Sequence, residues 1–318
     1  MVSDVAIATP LICSPKHEQT RTASEIPPSC KPISNDKSEK KIYGLDEIQK
    51  YFHPTEWVMI DFLNLCLETL DMDDMELTSI PKSIKEIEYF VFREVQAVSF
   101  NRNLNIKGSE VFGEFGSLQA INMSECSLKS VPESWSKLNK LSFLGLSGNQ
   151  DLYQGSFSPI KHMMCLQWLD LGNCGLKSIP NEVYSLSNHL VVLALGYNKD
   201  VNFENSSLEK FRKLKRLSLN GCNLTKVPDG VYDLEQLRHL HLDDNEIKSF
   251  TQDILKLKNL IQLTVTENDN LRFPKLISRL EKIRRIVVDD DYNILSTSFS
   301  IRAKLKHASE VNSVYDAL

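Results

Sequence analysis

Residues 214–231 read LKRLSLNGCNLTKVPDGV, and this stretch decides the fold. Leucine occupies its first, fourth, sixth and eleventh positions, and cysteine occupies the ninth. Leu217 and Leu219 are two residues apart, so they share one face of a short strand. Pro228 then prevents the strand from continuing in a sheet, because proline has no backbone N–H to donate. The stretch therefore predicts a strand, a turn, and a return path on the opposite side of the core.

The same pattern, L-x-x-L-x-L-x-x-(N/C)-x-L, recurs along the chain when Val, Ile, Met or Phe may replace Leu. Its units begin at Leu67, Val95, Leu118, Leu141, Leu166, Leu190, Leu214, Leu237, Leu260 and Ile283. After a first interval of 28 residues, every later interval is 23 to 25 residues. Only the two end units lack Asn or Cys at the ninth position, with Met75 and Asp291 there. A length of 318 residues would ordinarily suggest two globular domains, but repetition at a fixed period predicts a solenoid.

Units with a proline step alternate with units that lack it. Three cysteines at the ninth position, Cys126, Cys174 and Cys222, recur every 48 residues. A metal or redox site is the alternative interpretation of these thiols. The 48-residue spacing skips one whole unit, however, and would hold the thiols too far apart for one metal. We therefore predict structural cysteines, no metal site and no cofactor.

These repeats resemble the leucine-rich-repeat superfamily over about residues 67–291. The segments LTSIPKSI, LKSVPESW, LKSIPNEV and LTKVPDGV are similar to its intracellular subclass with an Ile-Pro step, as in Ras-pathway scaffolds, Scribble and Erbin, and plant Ras-group repeat proteins. The resemblance implies an α/β solenoid of about ten repeats. A curved parallel sheet would line its concave face, and short helices or 3-10 turns its convex face. It also implies a role in signalling, assembly or targeting.

Four segments follow from composition and repeats. Residues 1–41 contain no glycine and no aromatic residue, and they hold five of the twelve prolines, which predicts a disordered tail. We expect an N-terminal helical cap over 42–66, the solenoid over 67–293, and a C-terminal cap or tail over 294–318. The first residues lack the basic region of a secretory signal, and no run of 18 apolar residues occurs, so we expect an intracellular, cytoplasmic location without membrane insertion.

Several function classes lack their usual sequence signals. A formal net charge of −5 gives no global attraction to nucleic acid. The sequence contains no glycine-rich phosphate loop, no HExxH and no CxxC. We therefore expect a protein that is not an enzyme, binds no nucleic acid and takes no small-molecule substrate. Its expected partner is another protein.

The candidate binding residues lie at positions 2, 3, 5, 7 and 8 of the pattern, which should face the concave side. Phe143, Trp168 and Val192 occupy position 3 on three successive units, and Tyr197 stands at position 8. Glycines border them, so we predict an exposed apolar cluster that serves as a hot spot for a protein partner. The alternative is that the C-terminal tail or a neighbouring loop covers these side chains.

A basic row is predicted to continue the concave face beyond this cluster. Its main members are Arg216, Arg238, His239 and His241, and it faces a row of carboxylates at positions 7 and 8: Asp243, Asp244, Glu267, Asp289 and Asp290. Opposite charges in neighbouring columns would orient a partner. His239 and His241 also have a spacing that zinc ligands use, but we interpret them as a contact pair.

The function predicted from these observations is a non-enzymatic protein-interaction module, most simply an intracellular signalling scaffold or adaptor. One alternative is a regulatory or substrate-recognition subunit of a phosphatase or ubiquitin ligase complex. A receptor ectodomain and an effector delivered by a pathogen are further alternatives. Fold alone does not choose among them.

Overall fold

The computed structural model describes residues 69–80, 84, 95–204, 206–269, 271–273, 275–289 and 305–307. The predicted N-terminal tail and N-terminal helical cap lie outside the described residues. Of the predicted C-terminal cap or tail, only residues 305–307 are described.

One parallel sheet runs through the described residues, and its 11 strands follow one another in chain order. Each of the ten predicted repeats contributes one strand, and β11 adds a further strand from the predicted C-terminal segment. The strands are β1 (Thr69–Asp71), β2 (Ala97–Ser99), β3 (Ala120–Asn122), β4 (Phe143–Gly145), β5 (Trp168–Asp170), β6 (Val192–Ala194), β7 (Arg216–Ser218), β8 (His239–His241), β9 (Gln262–Thr264), β10 (Arg285–Val288) and β11 (Leu305–His307). This open sheet confirms the predicted α/β solenoid.

Short helices complete the repeats on the side of the core opposite the sheet. The 3-10 helices are Ser109–Glu114, Glu133–Lys137, Leu152–Gln154, Ser158–His162, Leu208–Lys210, Asp229–Asp233, Gln252–Lys256 and Lys275–Arg279, and Asn181–Tyr184 is α-helical. Proline starts three of them. Pro132, Pro180 and Pro228 each precede the first helical residue, and each carbonyl accepts the N–H three residues on, at 3.0 Å. The fixed φ of proline suits this entry, and its missing N–H costs nothing there.

The core lies between the strands and these helices. The first, fourth and sixth pattern residues are buried in every repeat from Val95 onward, as Leu214, Leu217 and Leu219 show with no exposed area. One convex-side contact links successive repeats, because the indole Nε1 of Trp135 donates to the Ser109 carbonyl oxygen at 2.9 Å. Apolar burial drives this packing, and the repeat period aligns it between neighbours.

A ladder of asparagines at the ninth position joins each of several repeats to the one before it. In Asn149, Nδ2 donates to the carbonyl oxygens of Met123 and Leu146, while Oδ1 accepts from the N–H groups of Cys126 and Leu128. One amide thus satisfies four buried backbone groups that leave the strand ladder.

Cysteine at the same position keeps only part of this role. The Cys174 Sγ donates to the Leu146 carbonyl oxygen at 3.1 Å and is also hydrogen-bonded to the backbone of Asn149, so it reaches fewer backbone groups of the preceding repeat than asparagine does. That repeat instead closes its turn locally, with the N–H of Leu152 donating to the Asn149 carbonyl oxygen at 2.9 Å. The alternation of Asn and Cys units therefore corresponds to two kinds of turn.

None of the helices among the described residues is long and apolar enough to cross a membrane.

Candidate functional site

The side chains at positions 3 and 5 of the repeat pattern lie on the strands and point away from the core. We call the surface that they form the open face of the sheet. It corresponds to the concave face of the predicted solenoid. Neighbouring strands pair in register at these positions, so that Trp168 lies opposite Phe143 on one side and Val192 on the other. Residues about 23 to 25 apart in sequence thereby become direct neighbours.

The centre of the open face holds two contacting rings, Phe143 and Trp168, which we call the aromatic pair. Their ring centroids are 5.4 Å apart and their planes are inclined by 51°. Both side chains are partly exposed. Tilted aromatic contacts of this kind add to the stability that buried area alone provides. The pair is therefore an ordered apolar surface that solvent still reaches.

Gly145 explains why the Phe143 ring can lie along its strand. A Cβ atom at Gly145 would be 3.3 Å from Cε1 of Phe143 and 2.8 Å from Oδ1 of Asn122. Glycine leaves that space open, and the ring covers it. A side chain at this position would displace the ring or the Asn122 amide.

Asp170 stands on the same strand as Trp168 and between Gly145 and Ala194 of the neighbouring strands. Its Oδ1 accepts a hydrogen bond from the Gly172 N–H at 2.9 Å. Desolvation by burial raises the pKa of this carboxyl group above its usual value. No salt bridge reaches it among the described residues. A carboxylate without a cation thus lies beside the aromatic pair.

The other two predicted apolar anchors have different surroundings. Val192 is only 8% exposed. It lies beside Trp168 on the next strand and contributes little area that a partner could contact. Tyr197 is 45% exposed and lies on the turn after β6, with φ of 60°. Its ring covers Gly221, where a Cβ atom would be 2.5 Å from Tyr197 Cδ1. The four side chains are therefore not equally exposed, in contrast to the cluster expected from the sequence.

The predicted basic row also differs along its length. Arg238 is exposed, Arg216 and His239 are partly buried, and His241 is only 3% exposed. Burial lowers the pKa of Arg216. Burial, with the neighbouring positive charge of Arg216, lowers the pKa values of His239 and His241 to about 4. Both histidines are therefore neutral near pH 7, and the row carries less positive charge than a count of its members suggests.

His241 belongs to a buried chain of polar side chains that the pattern did not indicate. Its Nδ1 lies 3.1 Å from Oγ1 of Thr264, and that hydroxyl donates to Oδ2 of Asp243. Asp243 Oδ1 accepts from both the N–H and the hydroxyl of Thr266, at 2.9 and 2.8 Å. Desolvation raises the pKa of Asp243. This carboxyl group is thus bound within the fold and is only 8% exposed.

Other acidic residues at position 7 of the pattern, like Asp243, accept hydrogen bonds from the backbone of a neighbouring repeat. Asp73 Oδ1 accepts from the Asn101 N–H at 2.7 Å, and Asp289 Oδ1 accepts from the Glu267 N–H at 2.7 Å. In each case the carboxylate holds a turn of a neighbouring repeat. The acidic row, which the sequence suggested as a pairing surface for a partner, therefore also has a structural role.

The described residues include no group of three or more His, Cys, Asp or Glu side chains placed to hold a metal ion. The three cysteines at the ninth pattern position, which we call the column cysteines, have buried thiols. Desolvation raises the pKa values of Cys126 and Cys222 to about 11 and of Cys174 to about 12. Because the thiolate is the reactive and metal-binding form, these three cysteines are unreactive at neutral pH.

Comparisons with known proteins agree with this geometry. Residues 70–163 match the family model described as BspA type Leucine rich repeat region, in 6 copies. Residues 165–186 and 213–234 match the model described as Leucine Rich Repeat. No curated protein matches the chain.

Solved structures with the same repeats are similar in fold. A leucine-rich-repeat protein of Leptospira interrogans has a TM-score of 0.52 and 20% identity, over 81% of this chain and 70% of that one. The leucine-rich-repeat domain of the type III effector XopL has a TM-score of 0.54 and 22% identity, over 69% and 75% of the two chains. At such identities the likeness concerns the fold.

The sheet, the ladder of asparagines and these matches define a leucine-rich-repeat fold. The matched residues include most of β1 and all of β2 to β5 and β7, and the strands β6, β8, β9 and β10 outside them follow the same sequence pattern. Leucine-rich-repeat folds commonly serve as protein-interaction modules.

Proposed function

We propose that this chain is a recognition module that binds a partner protein through the open face of its sheet. The observation that carries the proposal is the partly exposed aromatic pair, Phe143 and Trp168, with its ring centroids 5.4 Å apart. Aromatic side chains in an ordered setting bind with little further loss of conformational entropy. Such surfaces are enriched at the centres of protein interfaces.

The neighbouring polar residues suit the edge of such an interface. Arg238 is exposed and Arg216 is partly exposed on the strands that follow. Charged groups around an apolar centre contribute more to orientation and association rate than to affinity. Tyr197 and His239 provide further area for contact with a partner. Val192 and His241 are buried and contribute to the packing beneath that area.

The Ile-Pro resemblance supports a scaffold or adaptor role inside the cell as the finer form of this proposal. A permanent regulatory subunit of an enzyme complex is the second form. The two differ in the stability of the complex, since a subunit copurifies at fixed stoichiometry and an adaptor exchanges.

The test is a capture experiment from lysate with the wild-type chain and a Phe143→Ala/Trp168→Ala variant. A matched control is Tyr153→Ala/Met164→Ala, which removes side chains 41% and 50% exposed that lie outside the strands. We expect the open-face variant to lose a partner that the wild type and the control retain. Equal capture by all three proteins, at matched melting temperature, would move the binding site away from the open face.

A further inference from the structure

The Asp170 carboxylate is the only charged group at positions 3 and 5 of β4, β5 and β6. The six residues at these positions are Phe143, Gly145, Trp168, Asp170, Val192 and Ala194. The carboxylate is partly buried, and its hydrogen bond comes from the backbone N–H of Gly172. No lysine, arginine or histidine of the described residues forms a salt bridge with it.

A partly desolvated carboxylate gains most from a cation that arrives with a ligand when no described residue of its own chain supplies one. Trp168 and Asp170 are two residues apart on one strand, so their side chains stand on the same face about 7 Å apart. The Phe143 ring lies against Trp168 on the next strand. A planar cation placed over the rings can therefore also reach the carboxylate.

We propose that this site receives an arginine side chain of the partner protein, with its guanidinium stacked on the aromatic pair and hydrogen-bonded to the Asp170 carboxylate. The inference rests on the proposed function and names the chemistry that the open face selects. Guanidinium is planar, weakly hydrated and stacks on aromatic faces. It also donates hydrogen bonds to carboxylates in a fixed fork.

Other ligand classes fit the same residues less well. A divalent metal would find one carboxylate among apolar neighbours, and too few oxygen ligands. An anionic group would meet the negative charge of Asp170 at close range. A purely apolar side chain would cover the aromatic pair but leave the carboxylate desolvated without compensation.

The charge on the open face changes sign between β5 and β7. Arg216 on β7 carries the opposite charge two strands from Asp170, or about 10 Å at the usual strand spacing. A partner arginine is attracted to β5 and repelled from β7. This difference positions the partner along the sheet as well as attracting it.

The experiment is a titration of the ¹⁵N-labelled full chain with N-acetyl-L-arginine amide, at constant ionic strength and neutral pH. The readout is the indole N–H signal of Trp168, which is assigned by its absence in Trp168→Phe. N-acetyl-L-citrulline amide is the matched neutral probe, because it keeps the planar end group and lacks the charge. We expect a saturable shift with the arginine probe and binding weaker by about ten-fold with citrulline.

Asp170→Asn is the informative variant, since asparagine can still accept the Gly172 N–H. We expect it to bind both probes alike, whereas Asp200→Asn, at an exposed carboxylate, retains the preference for arginine. Equal binding of the two probes by the wild type, or no saturable shift, overturns the proposal without any variant. That failure is distinct from failure of the proposed function, because partner capture through Phe143 and Trp168 would be unaffected by it.

Discussion

Oδ1 of Asn198 accepts a hydrogen bond from the backbone N–H of Cys174, 3.0 Å away and one repeat earlier. It also accepts from Leu176 N at 3.0 Å, and its Nδ2 donates to the carbonyl oxygens of Leu171 and Leu195. Asn198 is 1% exposed, so water does not replace these partners. One side chain thereby holds two adjacent repeats in register.

Asparagine and cysteine at the ninth pattern position should contribute unequally to the free energy of unfolding. Asn198→Ala leaves the buried N–H groups of Cys174 and Leu176 without an acceptor, at about 1–3 kcal/mol each. Cys174→Ala removes one weak thiol donor and a small apolar volume, at about 1 kcal/mol. Urea unfolding should therefore show a clearly larger loss for Asn198→Ala. Equal losses would mean that the asparagine ladder is not the main link between repeats.

The core register can be tested with a single charge. Leu217→Asp would place an unpaired carboxylate at a site with no exposed area, so we expect loss of cooperative thermal unfolding. Thr225→Asp, at an exposed position of the same repeat, is the control and should melt almost as the wild type does. Calorimetry compares the three proteins. An unchanged cooperative transition in Leu217→Asp would contradict the buried position of this residue.

Thiol reactivity should separate the column cysteines from Cys165. Cys165 is exposed, whereas Cys126, Cys174 and Cys222 are buried and have pKa values raised to between about 11 and about 12. We expect native-state alkylation at Cys165 first, with the column cysteines labelled only after unfolding. Peptide mass spectrometry after timed iodoacetamide treatment measures each site. Rapid native labelling of Cys174 would show that its repeat opens readily.

Stability should fall on mild acidification, in part through His241. Its pKa in the fold is about 4, below the ordinary value of 6.5, because it is buried beside Arg216. The unfolded chain therefore binds this proton at higher pH than the fold does, and stability decreases as pH falls from 6.5 towards 4. The full shift corresponds to about 3 kcal/mol.

His241→Gln isolates this contribution. His239 acts in the same direction, and the raised pKa of Asp243 acts in the opposite direction, since the folded carboxyl binds its proton at higher pH than the unfolded one. The free energy of unfolding is measured by urea titration across this pH range. We expect a smaller slope in the variant than in the wild type, and parallel curves would disprove the assignment to His241.

The sequence predicted the architecture from residues whose roles repeat in every unit. Leu217 and Leu219 share a face because strand side chains alternate, and Asn198 stands where the chain leaves the ladder. These relationships are local, and the period of 23 to 25 residues then stacks them. The ten predicted repeats correspond to β1 through β10 for this reason, whereas β11 follows no copy of the pattern.

The candidate site was predicted less completely. The sequence placed Phe143 and Trp168 on one face of neighbouring strands, where the structure has them in contact. The interpretation of the sequence did not include Asp170. Its place at position 5, between Gly145 and Ala194 on the neighbouring strands, could have indicated an isolated charge. The same interpretation treated His241 and Asp243 as surface residues, and Thr264 was not considered.

Sequence by itself determined the repeat, the sheet and the side of the sheet to which each strand residue points, because the alternation of side chains along a strand follows from local geometry. Only the tertiary structure decided which open-face side chains remain accessible. That outcome depends on partners one repeat away, such as Thr264 for His241 and Gly221 for Tyr197. Contacts of this kind are made between residues far apart in the chain, where the pattern specifies the face but not the neighbour.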